Sequence, residues 1–130
     1  MRFNPCLRFL VIEQNSDSRF LLVKALLRTF PTAAILECQH GETALREARD
    51  EGFNAVIVHR TFEYEGLELV AMIHEVNATV PIIMVSGHDR AAEALAAGAT
   101  LFLNYDEWAR IGTIVEAILA ARQLKLCTPK

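Results

Sequence analysis

Only three cysteines, Cys6, Cys38 and Cys127, occur in 130 residues. They are odd in number, widely spaced and without a CxxC pair, which excludes a disulfide framework and a thiolate zinc or redox centre. Three reduced thiols in a cytoplasmic protein are expected, with Cys38 a small core residue. Prolines (four) and glycines (six) are scarce, so no linker or low-complexity segment breaks the chain. No apolar stretch approaches the ~20 residues of a membrane span. The opening Met1-Arg2-Phe3-Asn4-Pro5-Cys6 is too short and polar for a signal peptide. A basic excess is missing: 13 Lys and Arg stand against 16 Asp and Glu, a formal net charge of -3. That argues against nucleic-acid binding. Glu13-Gln14-Asn15-Ser16-Asp17 stands where a nucleotide- or flavin-binding fold would carry a glycine-rich phosphate loop. Ser86 lies in no GxSxG elbow. His40, His74 and His88 are scattered and match no zinc spacing, so surface or capping roles are expected of them.

The apolar content, 52%, suffices for a core. Its pattern alternates between two periods. Leu7 to Ile12 reads as a first strand, and Asn15-Ser16-Asp17 offers helix N-caps. Phe20, Val23, Leu27 and Phe30 recur at helical spacing, widened by Leu21 and Leu26, until Pro31-Thr32 stops the helix. Ala33 to Glu37 reads as the second strand and His40-Gly41-Glu42-Thr43 as a turn. Ala44 and Ala48, among charged neighbours, suit an amphipathic second helix closed by Gly52. Asn54-Ala55-Val56-Ile57-Val58-His59 is a short apolar run that ends in a ring nitrogen. Such runs read as strands buried on both faces.

Arg60 to Gly66 follows as a loop. Leu67, Val70, Ala71 and Ile73-His74 form a third helix, and Thr79 to Ser86 is the fourth strand. Gly87-His88-Asp89 caps an alanine-rich fourth helix, Arg90 to Ala97, which Gly98 ends by accepting a left-handed backbone. Thr100 to Leu103 is the fifth strand. Asp106 or Glu107 opens the last helix, with Trp108, Ile111, Val115, Ile118 and Leu119 on one face. The tail from Leu124 is expected to fray. Five strand–helix repeats imply right-handed crossovers and a covered parallel sheet: an α/β, flavodoxin-like, doubly wound (βα)5 domain with strand order 2-1-3-4-5. One domain over residues 1–130 is expected, with a core of about 7–122 and flexible ends at 1–6 and 125–130. Ligands gather at the carboxyl ends of strands in such sheets, where His59 stands.

Several stretches carry a resemblance in their order and spacing. They are Phe9-Leu10-Val11-Ile12, Gly41-Glu42-Thr43-Ala44-Leu45, Asn54-Ala55-Val56-Ile57-Val58, Gly66-Leu67-Glu68-Leu69-Val70, Pro81-Ile82-Ile83-Met84-Val85-Ser86-Gly87 and Ala97-Gly98-Ala99. From Leu7 to Arg122 the chain resembles the receiver domain of bacterial two-component response regulators. Receivers accept a phosphoryl group from a histidine kinase onto an aspartate at the end of the third strand. An acidic pair after the first strand helps that aspartate hold Mg2+. A Ser or Thr and a Lys contact the phosphoryl oxygens, and an aromatic in the fifth strand reports the switched state.

The resemblance puts Glu13 and Gln14 at the acidic pair, His59 at the phosphoacceptor position, Ser86 at the hydroxyl position and Phe102 at the switch aromatic. Tyr105, beside Asn104, falls at the lysine position, and Asp106 replaces the proline after it. The loop after His59 is one residue shorter than usual and lacks its proline. Mg2+ seeks hard oxygen ligands, and here the resemblance supplies only Glu13. The nucleophile and the balancing cation are both replaced. The expectation is therefore no cofactor, with Mg2+ absent or weakly held, and no aspartyl phosphorylation. His59 is expected as a neutral histidine bonded to Glu13 or to backbone. The sharper alternatives are a phosphoacceptor His59, a pH-sensitive Glu13–His59 contact, or a cation site rescued by Glu63 and Glu65.

What remains is surface. In the family, the fourth helix, fifth strand and fifth helix form a docking and dimerisation face. Here Ala91, Ala92, Ala94 and Ala96 keep the fourth helix low, Leu95 is expected to pin it to the sheet, and Trp108, Phe102 and Tyr105 lie nearby. Trp108 either serves as a hot spot or anchors the fifth helix. The functional expectation is a phosphorylation-independent receiver-like protein of a phosphorelay pathway, not an enzyme. It would act through protein partners, including a second copy, through Ala92, Ala96 and Trp108, without nucleic acid or membrane. The alternative is a working receiver with a non-standard acceptor, His59 or a loop carboxylate.

Overall fold

The computed structural model describes residues 6–127, for 124–127 the backbone alone. Residues 1–5 and 128–130, where flexible ends were expected, lie outside the described residues. In chain order the elements are β1 (Arg8–Ile12), α1 (Ser16–Thr29), β2 (Ala34–Cys38), α2 (Gly41–Ala48), β3 (Ala55–Val58), α3 (Gly66–Val76), β4 (Ile82–Ser86), α4 (Ala91–Ala97), β5 (Leu101–Asn104), a 3-10 segment (Tyr105–Arg110) and α5 (Ile111–Cys127). The five strands are all parallel and run in the order β2-β1-β3-β4-β5, the flavodoxin-like arrangement expected of the alternation.

Strand residues alternate between two cores, as the pleat requires. Leu10, Ile12, Val56, Val58, Ile82 and Met84 face one core, with α2, α3 and α4 over them. Phe9, Val11, Ala55, Ile57, Ile83 and Val85 face the other, covered by α1 and α5. His59 directly follows Val58, and Glu13 directly follows Ile12. Alternation therefore sends both toward the α1 and α5 side.

Several boundaries and faces differ from the sequence reading. The buried side of α1 is Leu22, Ala25 and Leu26, not the stripe through Phe20 and Leu27. Phe20 is 59% exposed and its ring lies against the Lys24 ammonium. Both stripes have helical period, and packing against α5 selects the one that meets Ile111 and Val115. The expected turn at 40–43 is already helix from Gly41, and Thr79 to Pro81 precedes the strand rather than belonging to it. Ala71 is exposed, so α3 is seated by Leu69, Val70 and Ile73 instead. The backbone of α5 continues past Leu124 to Cys127. Gly98 closes α4 at φ 120°, the positive φ that glycine alone adopts readily. Cys38 is buried, and burial, then the nearby Glu47 carboxylate, push its thiol above the usual range.

Candidate functional site: the carboxyl ends of β1, β3, β4 and β5

Parallel pairing brings four strand ends together. Ile12 pairs with Val58, Val58 with Met84, and Ser86 with Asn104. The residues just beyond those ends build the site. The amide of His59 donates to the Ile12 carbonyl and that of Gln14 to the Arg60 carbonyl, each at 2.9 Å. These bonds extend the β1–β3 ladder past the strands and hold Glu13 beside His59.

Glu13 is fully buried, whereas the His59 side chain is 18% exposed. The two are in hydrogen-bond contact between His59 Nδ1 and Glu13 Oε1. The contact takes up the Nδ1 edge of the ring, and His59 also lines an open cleft. The other carboxylate oxygen accepts from the Asn15 amide at 2.8 Å. Asn15 in turn caps α1 by accepting from the Ser18 amide. Arg19 Nη1 donates to the Glu13 carbonyl at 2.7 Å, and its Nε meets Glu37 at 2.9 Å. A cation thus stands next to this buried acid, and both of the acid's oxygens are engaged. Gln14 Oε1 is buried without a partner among the described residues.

The ring of His59 stacks on that of Tyr105. Tyr105 directs its hydroxyl away from the strand ends, donating to the Ser18 carbonyl at 2.9 Å. Burial, and to a lesser extent the Glu13 carboxylate, raise its phenol above the ordinary value. Ser86 Oγ accepts from the His88 amide at 3.2 Å, and no hydrogen bond joins it to His59 among the described residues. Asn104 Oδ1 accepts from the Asp106 amide and so opens the 3-10 segment. Phe102 is half-buried on the core beneath α4.

A cleft of about 480 Å3 opens above these ends, lined by His59, Met84, Ser86, Tyr105 and two arginines, Arg60 and Arg90, among others. Gly66 lets α3 start hard against it: a Cβ there would meet the His59 carbonyl oxygen at 2.4 Å and the end of the Met84 side chain at 2.9 Å. Sequence reasoning missed the arginines. Arg19, Arg60 and Arg90 lie on three different segments, and only the fold brings them to one end of the sheet.

Neither loop acid bonds to His59 among the described residues, although Glu65 lines the same cleft. Glu63 accepts from the Gly41 amide at 2.9 Å and lies 3.5 Å from His40. The Gly41 bond, foremost, holds its carboxyl below the usual range. Glu65 caps α3 reciprocally with Glu68. Neither approaches Glu13 as the rescue of a cation site would require, and no cluster of three or more candidate metal ligands occurs among the described residues. On α4, Leu95 points outward at 53% exposure, contrary to the expected pin, and Ala94 takes the buried place. Ala92 and Ala96 are exposed. Trp108 is half-buried against the α1 and α5 core, beside Ile111 and Val115, on the opposite side of the sheet from α4. No helix among the described residues is long and apolar enough to cross a membrane.

The fold has close counterparts among solved structures. A response regulator receiver domain protein from Methanospirillum hungatei superposes with a TM-score of 0.77 at 17% identity, covering 93% of this chain and 99% of its own. A LuxR-family two-component response regulator from an Aurantimonas species gives 0.75 at 21% identity, covering 90% and 87%. The signal receiver domain of NarL from Mycobacterium tuberculosis gives 0.77 at 20% identity, covering 90% and 98%. No curated relative matches the sequence. The sequence profile described as the response regulator receiver domain matches residues 9–107. By that match over most of its length, the chain belongs to the response regulator receiver domain family.

Proposed function

We propose that this receiver acts without aspartyl phosphorylation, as a docking module for protein partners in a two-component pathway. One observation carries the reading: the buried acid at the end of β1 has both oxygens committed, to the His59 ring and to the Asn15 amide. An octahedral Mg2+ site needs several free hard oxygens. Here Glu13 is occupied, its neighbour Gln14 is neutral, and Arg19 places a cation on the adjacent carbonyl. The residues present do not fit Mg2+, and no phosphoryl step is derived through it. His59 in the acceptor position offers a ring nitrogen in place of a carboxylate, and Tyr105 in the lysine position offers a stacked ring in place of a cation.

The docking face proposed is that of α4, β5 and α5. Exposed Ala92 and Ala96 let another backbone come close, and Leu95 adds an outward apolar contact. Trp108 contributes from the other side, within the 3-10 segment leading to α5. A second copy of this chain is the simplest occupant. Two measurements test the proposal. In amide spectra titrated with MgCl2, the Glu13, Gln14 and His59 signals should not move saturably; saturable binding there contradicts it. Light scattering after size exclusion should show a weaker complex, with itself or a captured pathway partner, for Ala92→Arg; unchanged association removes this face.

One observation favours a second reading, in which His59 itself accepts phosphate. Glu13 holds Nδ1, and His59 lines a cleft that contains two arginines. Phosphate on the ring that is lost in His59→Ala would establish it.

A further inference from the structure

We propose that the cleft above β3, β4 and β5 is a non-covalent site for a small organic anion: a carboxylate or phosphate carried on a flat apolar body. The proposal rests on the reading that phosphoryl transfer has left this cleft, and it names an occupant. A volume of about 480 Å3 lies within the roughly 300–1,000 Å3 of small-molecule sites. Its walls combine the Met84 side chain with the His59 and Tyr105 rings. Because Tyr105 sends its hydroxyl to Ser18, it offers the cleft ring rather than phenol.

Three lining side chains have donors to spare. Arg60 makes no ion pair among the described residues. Arg90 spends its Nε on Glu93 at 3.2 Å and stands 3.9 Å from Glu65, so part of its fork remains available. Ser86 Oγ accepts from the His88 amide, which leaves its hydroxyl hydrogen to donate. Two carboxylates also line the cleft. Glu65 is already held by the α3 N-terminus and by Arg90, and Asp106 is exposed. Arg60, which also borders Glu63, Glu65 and Glu68 on its other side, has no carboxylate within ion-pair distance among the described residues, so it serves as the anchor. A guanidinium fork matches a carboxylate or phosphate edge in two-point fashion. An inorganic ion would leave the Met84 and aromatic walls uncovered, whereas an aryl or similar body would cover them.

The test uses the full 15N-labelled chain titrated separately with phenyl phosphate, benzoate and inorganic phosphate, followed by amide shifts. At least one aryl anion should move the Gly66, Gly87 and Tyr105 amides saturably, and bind about tenfold more tightly than inorganic phosphate. Which aryl anion does so assigns the head group. Arg60→Ala, with a dispersed spectrum showing that it folds, should weaken that binding about tenfold, while Arg28→Ala on α1 should not. Three results would overturn the site: no saturable shift with any of the three anions, undiminished affinity in Arg60→Ala, or inorganic phosphate binding as tightly as the aryl anions. Intact mass after acetyl phosphate reports separately on the underlying reading. A covalent adduct there sinks the phosphorylation-independent function, whereas a failed titration with unchanged mass sinks only the ligand site.

Discussion

The imidazole of His59 and the phenol ring of Tyr105 lie stacked, with centroids 5.5 Å apart and planes inclined by 26°. Both side chains stand just beyond strand ends, His59 after β3 and Tyr105 after β5. Here they pack on each other, and each is tied to a different neighbour: His59 to Glu13, Tyr105 to Ser18. The end of the sheet is thereby braced to the start of α1 from two directions.

His59→Ala removes the partner of a fully buried carboxylate, and the loss should cost about 2–3 kcal/mol in urea unfolding. Adding Glu13→Leu should return part of that stability, because an apolar side chain of similar size leaves no buried acid unpaired. Strict additivity of the two changes would show that the pair is not coupled.

Tyr105→Phe keeps the stack and deletes the bond to the Ser18 carbonyl, with an expected cost of about 1 kcal/mol. Burial, foremost, raises the Tyr105 phenol in the folded protein. Its contribution to stability is therefore complete below the ordinary tyrosine value of about 10 and is lost as pH rises through the folded-state value. Ultraviolet titration should show one late phenol, absent in Tyr105→Phe.

Glu63 has the opposite sign. Its carboxyl is held below the ordinary range, chiefly by the Gly41 amide. The tie between the β3–α3 loop and the N-terminus of α2 is therefore present above the ordinary carboxylate range and lost as pH falls through the lowered value. The Gly41 amide should lose hydrogen-exchange protection over that acid interval, and Glu63→Gln should flatten the dependence.

On α1, Leu22→Ala should cost about 2–5 kcal/mol, as a fully buried leucine in the core beneath α1 and α5. Phe20→Ala, at an exposed position, should stay within about 0.5 kcal/mol. The reverse ranking would restore the stripe that periodicity alone favours.

Those two residues also show where sequence reasoning stops. Period-2 and period-3.6 patterns give the five strands and five helices, and the nearly continuous apolar runs of β3 and β4 mark them as interior strands, as found. The Glu13–His59 contact follows from the adjacency of the first and third strands. Helical period cannot choose between two overlapping stripes on α1, because Phe20, Val23 and Leu27 fit it as well as Leu22, Ala25 and Leu26; α5 makes that choice. Leu95 is misread for the same reason, since bulk does not fix the side of a short helix on which a residue falls. The Tyr105–Ser18 bond and the gathering of Arg19, Arg60 and Arg90 join distant segments, and no local pattern announces them.

The most direct test is intact mass after incubation with acetyl phosphate and Mg2+, on the wild type and His59→Ala. The account predicts an unchanged mass for both. A phosphoryl adduct on the wild type would contradict it, and its loss in His59→Ala would place the acceptor at the ring nitrogen that Glu13 orients.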